Sequence, residues 1–359
     1  MKDFHSILLE WFDRHQRDLP WRKSGDIYAI WVSEVMLQQT QVKTVVGYYH
    51  RFMTRFPDVA ALAAADPGEV LKLWEGLGYY TRARHLHQAA RMVMEHYQGR
   101  IPCHPEGFSR LPGAGVYITA AVMSIACGFV IPVVDGNVLR VYARYAGYDR
   151  DIRSQAAHRH IREALTHLIS PQRPGDFNQA MMELGALICR VKSPLCPDCP
   201  LQLDCFAYRS GSTDRFPYRS PSKIIPEYRV SVAVIIRDRQ IYIQQRKAEG
   251  HLGGMWEFPG GKAESDETEI RTLQRECLEE LGIEPRIRYA LPIVRHAYSH
   301  FRIILTPLIC YLNPGDEPRP AVPFRWIPAH QLDQLPFPAA NHKIFADLRR
   351  LEPDLFTDG

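Results

Sequence analysis

The sequence predicts a multidomain chain, all-α up to about residue 208 and α+β from about residue 229. Three observations carry this expectation. Up to about Arg209, apolar residues recur at three- and four-residue steps, as in DVAALAAADPGEVLKLWEGLG, with Pro57, Pro67, Gly76 and Pro102 as helix stops. The stretch RSGSTDRFPYRSPSKIIPEYR (209–229) is rich in Ser, Pro and Arg and reads as an extended linker over 209–228. Beyond it the period falls to two in YRVSVAVIIRDRQIYIQQR, a β-hairpin turning near Asp238 and Gln240.

A length of 359 residues accommodates two or three domains, and 46% hydrophobic with 23% charged residues is the balance of an ordinary soluble protein. The net charge of +4 permits nucleic-acid binding without arguing for it. The opening MKDFHSILLEWFDRH is an amphipathic helix with charges throughout, not the apolar core of a signal peptide. The uncharged stretch GAGVYITAAVMSIACGFVIPVV (113–134) reads as a buried helix followed by a turn, because Gly128 and Pro132 interrupt it. A cytoplasmic protein with no membrane contact is expected. The linker, with Arg215, Arg219 and Lys223, fits a solvated tether and a strand lying along phosphates about equally.

Within IWVSEVMLQQTQV (30–42), helical spacing would put Ile30, Glu34, Leu37 and Gln38 on one face. A carboxylate on a core-directed face is costly unless it is paired or protonated, so Glu34 needs a reason. Further on, Leu111-Pro112-Gly113-Ala114-Gly115 allows a tight turn, with the next helix presenting its N-terminal N–H groups to a phosphate. In VVDGNVLRVYAR, Asp135 stands at a helix entrance and is readable as an N-cap.

Four of the eight cysteines, Cys189, Cys196, Cys199 and Cys205, crowd together at C-x6-C-x2-C-x5-C spacing. Cytoplasmic thiols stay reduced, and clustered ones hold metal. Four thiolates this close enclose one tetrahedral ion or one cubane cluster, and spacing alone leaves both open. Arg190 and Lys192, between these ligands, are placed to meet phosphate.

These features together bring out a resemblance. The cysteine spacing beside LPGAG and VDGNV resembles the helix-hairpin-helix DNA glycosylases of the endonuclease III and MutY superfamily. The resemblance implies a structural [4Fe-4S] cluster on the four cysteines, and it moves Asp135 from cap to catalytic residue. LPWR (19–22), SEVMLQQTQV, WEGLGYYTRARHLHQAA, VDGNVLRV and FNQAMMELGALIC are similar to segments of the MutY adenine DNA glycosylases. By that similarity Glu34 is the catalytic acid, with Tyr117 and Asn137 positioning groups and water. Leu19, Trp21, Arg22 and Gln179 form the adenine pocket. Gln39 and Tyr79 wedge into the duplex, and Leu111, Gly113 and Gly115 grip DNA. Tyr117 stands where the bifunctional lyases carry a lysine, so the resemblance implies base removal without efficient strand cleavage.

The implied domains are a glycosylase domain at 1–208 (a six-helix module at about 26–135 and an iron-sulfur module of 1–25 plus 136–208) and a second domain at 229–359. In the latter, GGKAESDETEIRTLQRECLEELGI fits the box G-x5-E-x7-R-E-U-x-E-E-x-G-U of the Nudix family through Gly261, Glu267, Arg275, Glu276, Cys277, Glu279, Glu280, Gly282 and Ile283. Glu276, Glu279 and Glu280 on one helix are spaced to share Mg²⁺. Many MutY proteins have a decayed box; this one is intact. GGMWEFPGGK and LPFPAANHKI resemble MutT, with Asn341 matching a residue that reads an oxidised purine, and Tyr298, Ser299 and His300 resemble the loop with which MutY contacts 8-oxoguanine. The expected partner is double-stranded DNA with A:8-oxoG or A:G mispairs, met by a monomer associated with the nucleoid. Competing readings are a bifunctional lyase, a nucleotide sanitation enzyme hydrolysing 8-oxo-dGTP, a thymine- or uracil-removing relative, and a non-catalytic binder of damaged DNA.

Overall fold

The computed structural model describes residues 3–221, 225–247, 250, 252–298 and 300–356. Its helices in chain order are α1 (Phe4–His15), α2 (Ile27–Leu37), α3 (Val42–Arg55), α4 (Val59–Ala64), α5 (Pro67–Trp74), α6 (Thr81–Tyr97), α7 (Pro105–Phe108), α8 (Val116–Cys127), α9 (Gly136–Ala146), α10 (Gln155–Thr166), α11 (Pro174–Leu187), α12 (Phe206–Arg209), α13 (Glu269–Leu281) and α14 (Ala339–Leu351). The strands are β1 (Glu227–Arg237), β2 (Gln240–Gln245), β3 (Trp256–Glu257), β4 (Gly260–Lys262), β5 (Arg286–Ala290), β6 (Val294–Ala297), β7 (Arg302–Tyr311) and β8 (Phe324–Pro328). They group into two compact units, Met1–Ala64 with His85–Ser222, and Ala65–Arg84 with Lys223–Gly359.

The first unit is helical throughout its described residues. α2 and α8 are apolar on all sides and lie in the interior, where Val32, Met36, Ile118, Val122 and Met123 are fully buried. α8 runs from Val116 to Cys127 and stops at Gly128, which takes the left-handed conformation (φ 70°). No helix among the described residues is long and apolar enough to cross a membrane. A second cluster packs Leu8 and Phe12 of α1 against Val138 and Val141 of α9 and Phe177 and Leu184 of α11.

Several expectations need correction. α2 ends at Leu37, so Gln38 is a cap residue and does not share the helical face of Glu34. Pro67 opens α5 at its first turn, where its missing N–H costs nothing, and does not stop a helix. Cys103 and Cys127 form a disulfide, with Cα atoms 5.9 Å apart, where reduced thiols were expected; the hairpin α7–α8 brings together two cysteines 24 residues apart. The expected linker is held down over its first half. Arg144 donates to the carbonyls of Thr213 and Phe216, Ile152 N donates to Tyr218 O, and Ser220 N donates to Asp151. Lys223 lies outside the described residues.

The second unit is built on a mixed eight-stranded sheet, in which β1 runs parallel to β7 over ten paired residues and the other pairings are antiparallel. The hairpin β1–β2 turns at Asp238 and Arg239, both at positive φ (49° and 61°), as a two-residue turn matched to strand twist requires. α13 covers one face through Leu273, Cys277 and Leu281. α14 covers the other through Ile344, Phe345 and Leu348.

Candidate active site

The first unit collects most of the expected site residues. Glu34 on α2 is 4% exposed, and its carboxylate accepts from the Tyr117 hydroxyl on α8 at 2.9 Å. Burial pushes its pKa up to about 7; the bond from Tyr117 opposes that shift, Asp135 adds to it, and Arg22 opposes it.

Asp135 caps α9, as its position suggested: Val138 N donates to Oδ1 at 2.8 Å, and Asn137 Nδ2 donates to Oδ2 at 2.9 Å. Burial raises its pKa, against these donors and the charge of Arg140. Capping and chemistry are compatible here, because the bonds that cap the helix also orient the carboxylate. Arg140, which the sequence did not single out, holds Asn137 from behind, donating to its Oδ1 at 2.8 Å and to the carbonyls of Gly185 and Cys189.

Of the residues expected to form the adenine pocket, Leu19 and Trp21 are buried, and Trp21 meets Tyr49 edge-on with ring centres 5.3 Å apart. Arg22 Nε donates to Gln179 Oε1 at 2.9 Å, which fixes the amide with its NH₂ turned away from Arg22. Glu183 was missed. It is 1% exposed and takes Arg17 and Arg22 together: Arg17 Nη2 lies 2.7 Å and Arg22 Nη2 3.1 Å from its Oε2. Burial alone would raise its pKa, but the two guanidiniums hold it at about 2. Glu183 therefore anchors the arginine that orients Gln179. Only its position four residues after Gln179, on the same helical face, hinted at this.

In the α7–α8 hairpin, Gly113 takes φ 78° and lies where a side chain would run into His85. Gly115 opens onto free space ahead of α8, whose first residue, Val116, is 64% exposed. Leu111 is 2% exposed, so its side chain belongs to the core. The two expected wedge residues share an unusual backbone: Gln39 (φ 57°) and Tyr79 (φ 48°) are both left-handed without being glycine. Arg82 donates to the carbonyls of Leu77, Gly78 and Tyr79, clamping the Tyr79 turn.

Cys189, Cys196, Cys199 and Cys205 line one cavity with Arg144, Leu184 and Leu201. Arg144 Nη1 points at Cys189 Sγ from 3.4 Å. No three His, Cys, Asp or Glu side chains among the described residues are drawn together tightly enough for a single ion.

In the second unit, Tyr79, Tyr298 and His300 line one cavity of about 340 Å³, together with Gly76, Gly78 and Phe301. Ser299 lies outside the described residues. Asn341 is buried in the first turn of α14. On the Nudix box, Glu280 accepts from Gly260 N at 3.1 Å and Gln244 Nε2 at 2.9 Å, while Glu276 pairs with Arg275 at 3.0 Å against Gly261, where any side chain would collide with it. Glu279 is exposed. Glu257, which the sequence did not single out, is pushed up to about 7 by burial, pairs with Arg246, and lines a cavity of about 450 Å³ with Glu279 and Glu280. Arg246 and Arg275 pair with Glu257 and Glu276, and among the described residues no three of these carboxylates close on a single ion.

The HhH-GPD superfamily of base excision DNA repair proteins matches residues 32–168, and a NUDIX domain matches residues 231–347. The chain is 36% identical to the adenine DNA glycosylase of Mus musculus over 95% of its own length and 77% of that protein's. It is 31% identical to the adenine DNA glycosylase of Buchnera aphidicola subsp. Schizaphis graminum, over 86% of this chain and 88% of that one. The solved structure of a thermostable thymine-DNA glycosylase matches at a TM-score of 0.53 and 31% identity, over 58% of this chain and 95% of that one.

Proposed function

The chain belongs to the adenine DNA glycosylase family, and from that premise we propose that it excises adenine paired with 8-oxoguanine or guanine in double-stranded DNA, without efficient strand cleavage. The observation that carries the reading is Glu34, a buried acid with a pKa of about 7. When C1′–N9 breaks, the bonding electrons pass to the purine, a poor leaving group as an anion. A proton from Glu34 to N7 lets adenine leave neutral, and general acid catalysis of this kind is worth roughly 10² to 10⁴ in rate. Asp135, gripped by Val138 N and Asn137, faces the cationic sugar, and water completes the hydrolysis.

Tyr117 supplies a phenol where an amine would form a Schiff base, which supports a monofunctional enzyme. Extrusion of the nucleotide costs a few kcal/mol. Gln39, Tyr79 and the hairpin glycines are the groups we assign to offset it. The cavity shared by Tyr79, Tyr298 and His300 is where we place the opposite base.

Four thiols around a common cavity are the ligand set we assign to a [4Fe-4S] cluster, as the resemblance to the family implies. When bound, the cluster ties the 189–205 loop together, and Arg144 lies against Cys189.

Single-turnover assays on duplexes with A:8-oxoG, A:G and T:G pairs test the reading. Adenine release from the first two, without release from the third and without strand breaks before alkali, is expected; release of thymine instead would overturn it.

The intact Nudix box favours a second reading, hydrolysis of 8-oxo-dGTP. With 8-oxo-dGTP and Mg²⁺, appearance of the monophosphate supports it and absence removes it.

A further inference from the structure

The cavity holding Tyr79, Tyr298 and His300 is lined within the second unit by residues 76–81, by His296, Ala297 and Phe301, by Leu252, and by the start of α14 at Ala339. Glu75 immediately precedes residues 76–81, and its carboxylate reaches the start of α14. Phe337 N donates to Oε1 at 2.9 Å, and His342 Nε2 lies 3.0 Å from the same oxygen. A carboxylate only accepts, so His342 carries its hydrogen on Nε2. Lys72, one turn earlier, pairs with the other oxygen and donates to Leu335 O at 3.2 Å. Burial would raise the Glu75 pKa, but these donors overturn that and lower it, so the carboxylate stays charged. The turn beyond Glu75 has Gly76 and Gly78 at positive φ and is held from within by Arg82, while Glu75 ties its start to the start of α14.

We propose that Glu75 is a positioning residue that braces the 76–81 turn against the start of α14, and through that cavity sets the preference for 8-oxoguanine over guanine opposite the excised adenine. This rests on the reading of the cavity given above. Guanine and 8-oxoguanine differ at one oxygen and one hydrogen, so telling them apart requires walls held within about half an ångström. A loosened brace therefore harms discrimination more than chemistry. Glu75 touches neither base nor sugar in this scheme.

The test compares single-turnover rates of full-length wild type, Glu75→Ala, Glu75→Gln and His342→Ala on A:8-oxoG and A:G duplexes, with thermal unfolding in parallel. Glu75→Ala is expected to lower the A:8-oxoG to A:G rate ratio about five-fold, within the span of mutations along coupled contacts. Glu75→Gln keeps an acceptor for Phe337 N and His342 and is expected to restore most of the ratio; His342→Ala should lie between. A general structural role would slow both substrates alike, and an unchanged ratio in Glu75→Ala overturns the proposal. If that variant does not fold, the ratio in His342→Ala decides: a fall supports the brace and no change overturns it. A wild-type enzyme with no preference for 8-oxoguanine would instead sink the reading of the cavity itself, before any variant is made.

Discussion

The Tyr117 hydroxyl donates to the carboxylate of the buried Glu34 at 2.9 Å, and this bond works against the burial that lifts the Glu34 pKa to about 7. The two effects together set where the acid titrates.

Glu34 must be protonated to act, so the single-turnover rate is expected to fall as pH rises through about 7. Tyr117→Phe removes the donor that stabilises the charged form, so the Glu34 pKa rises and the falling limb moves to higher pH. A limb that stays put or moves down, measured on an adenine-containing duplex, would contradict this assignment.

Glu34→Gln should abolish useful excision and at the same time stabilise the fold. The folded pKa lies above the ordinary value of 4.5, so the protonated form favours folding and stability falls as pH rises from about 4.5 to 7. Above pH 7 a neutral amide relieves a penalty on the order of 3 kcal/mol. Denaturant melts at pH 8 and pH 4.5 should therefore show a gain at the first and little at the second.

Glu183→Ala strands Arg17 and Arg22 in a half-buried site, and breaking such a pair costs about 3–5 kcal/mol. The milder Glu183→Gln should fold but leave Gln179 loosely oriented, weakening adenine-duplex binding and excision together. Unchanged kinetics in a folded Glu183→Gln enzyme would show that the Arg22–Gln179 contact does not matter.

Cys199→Ser should yield protein with less iron and sulfide and a labile 189–205 loop, as seen by proteolysis. Equal amounts of iron and sulfide in wild type would identify a cluster, and zinc in their place would refute it.

Local periodicity and short motifs were enough to separate the helical part from the sheet-bearing part, to place the hairpin turn at Asp238, and to single out Glu34, Asp135 and the four cysteines. Spacing, capping and turn chemistry mark the turn, the odd carboxylate at position 34, the cap at Asp135 and the four cysteines within a few residues each, while Tyr117 and the catalytic roles came from the resemblance to the glycosylase family. The pairing of Glu183 with Arg17, 166 residues away, of Glu75 with Phe337, 262 away, and of Cys103 with Cys127 appeared only once the chain had closed on itself. So did the left-handed backbones of Gln39 and Tyr79, the burial of Leu111, and the guanidiniums beside the Nudix carboxylates. A charged residue's spacing reports its helical face, whereas its partner, its burial and hence its pKa depend on which distant segment packs against it, and no local pattern carries that.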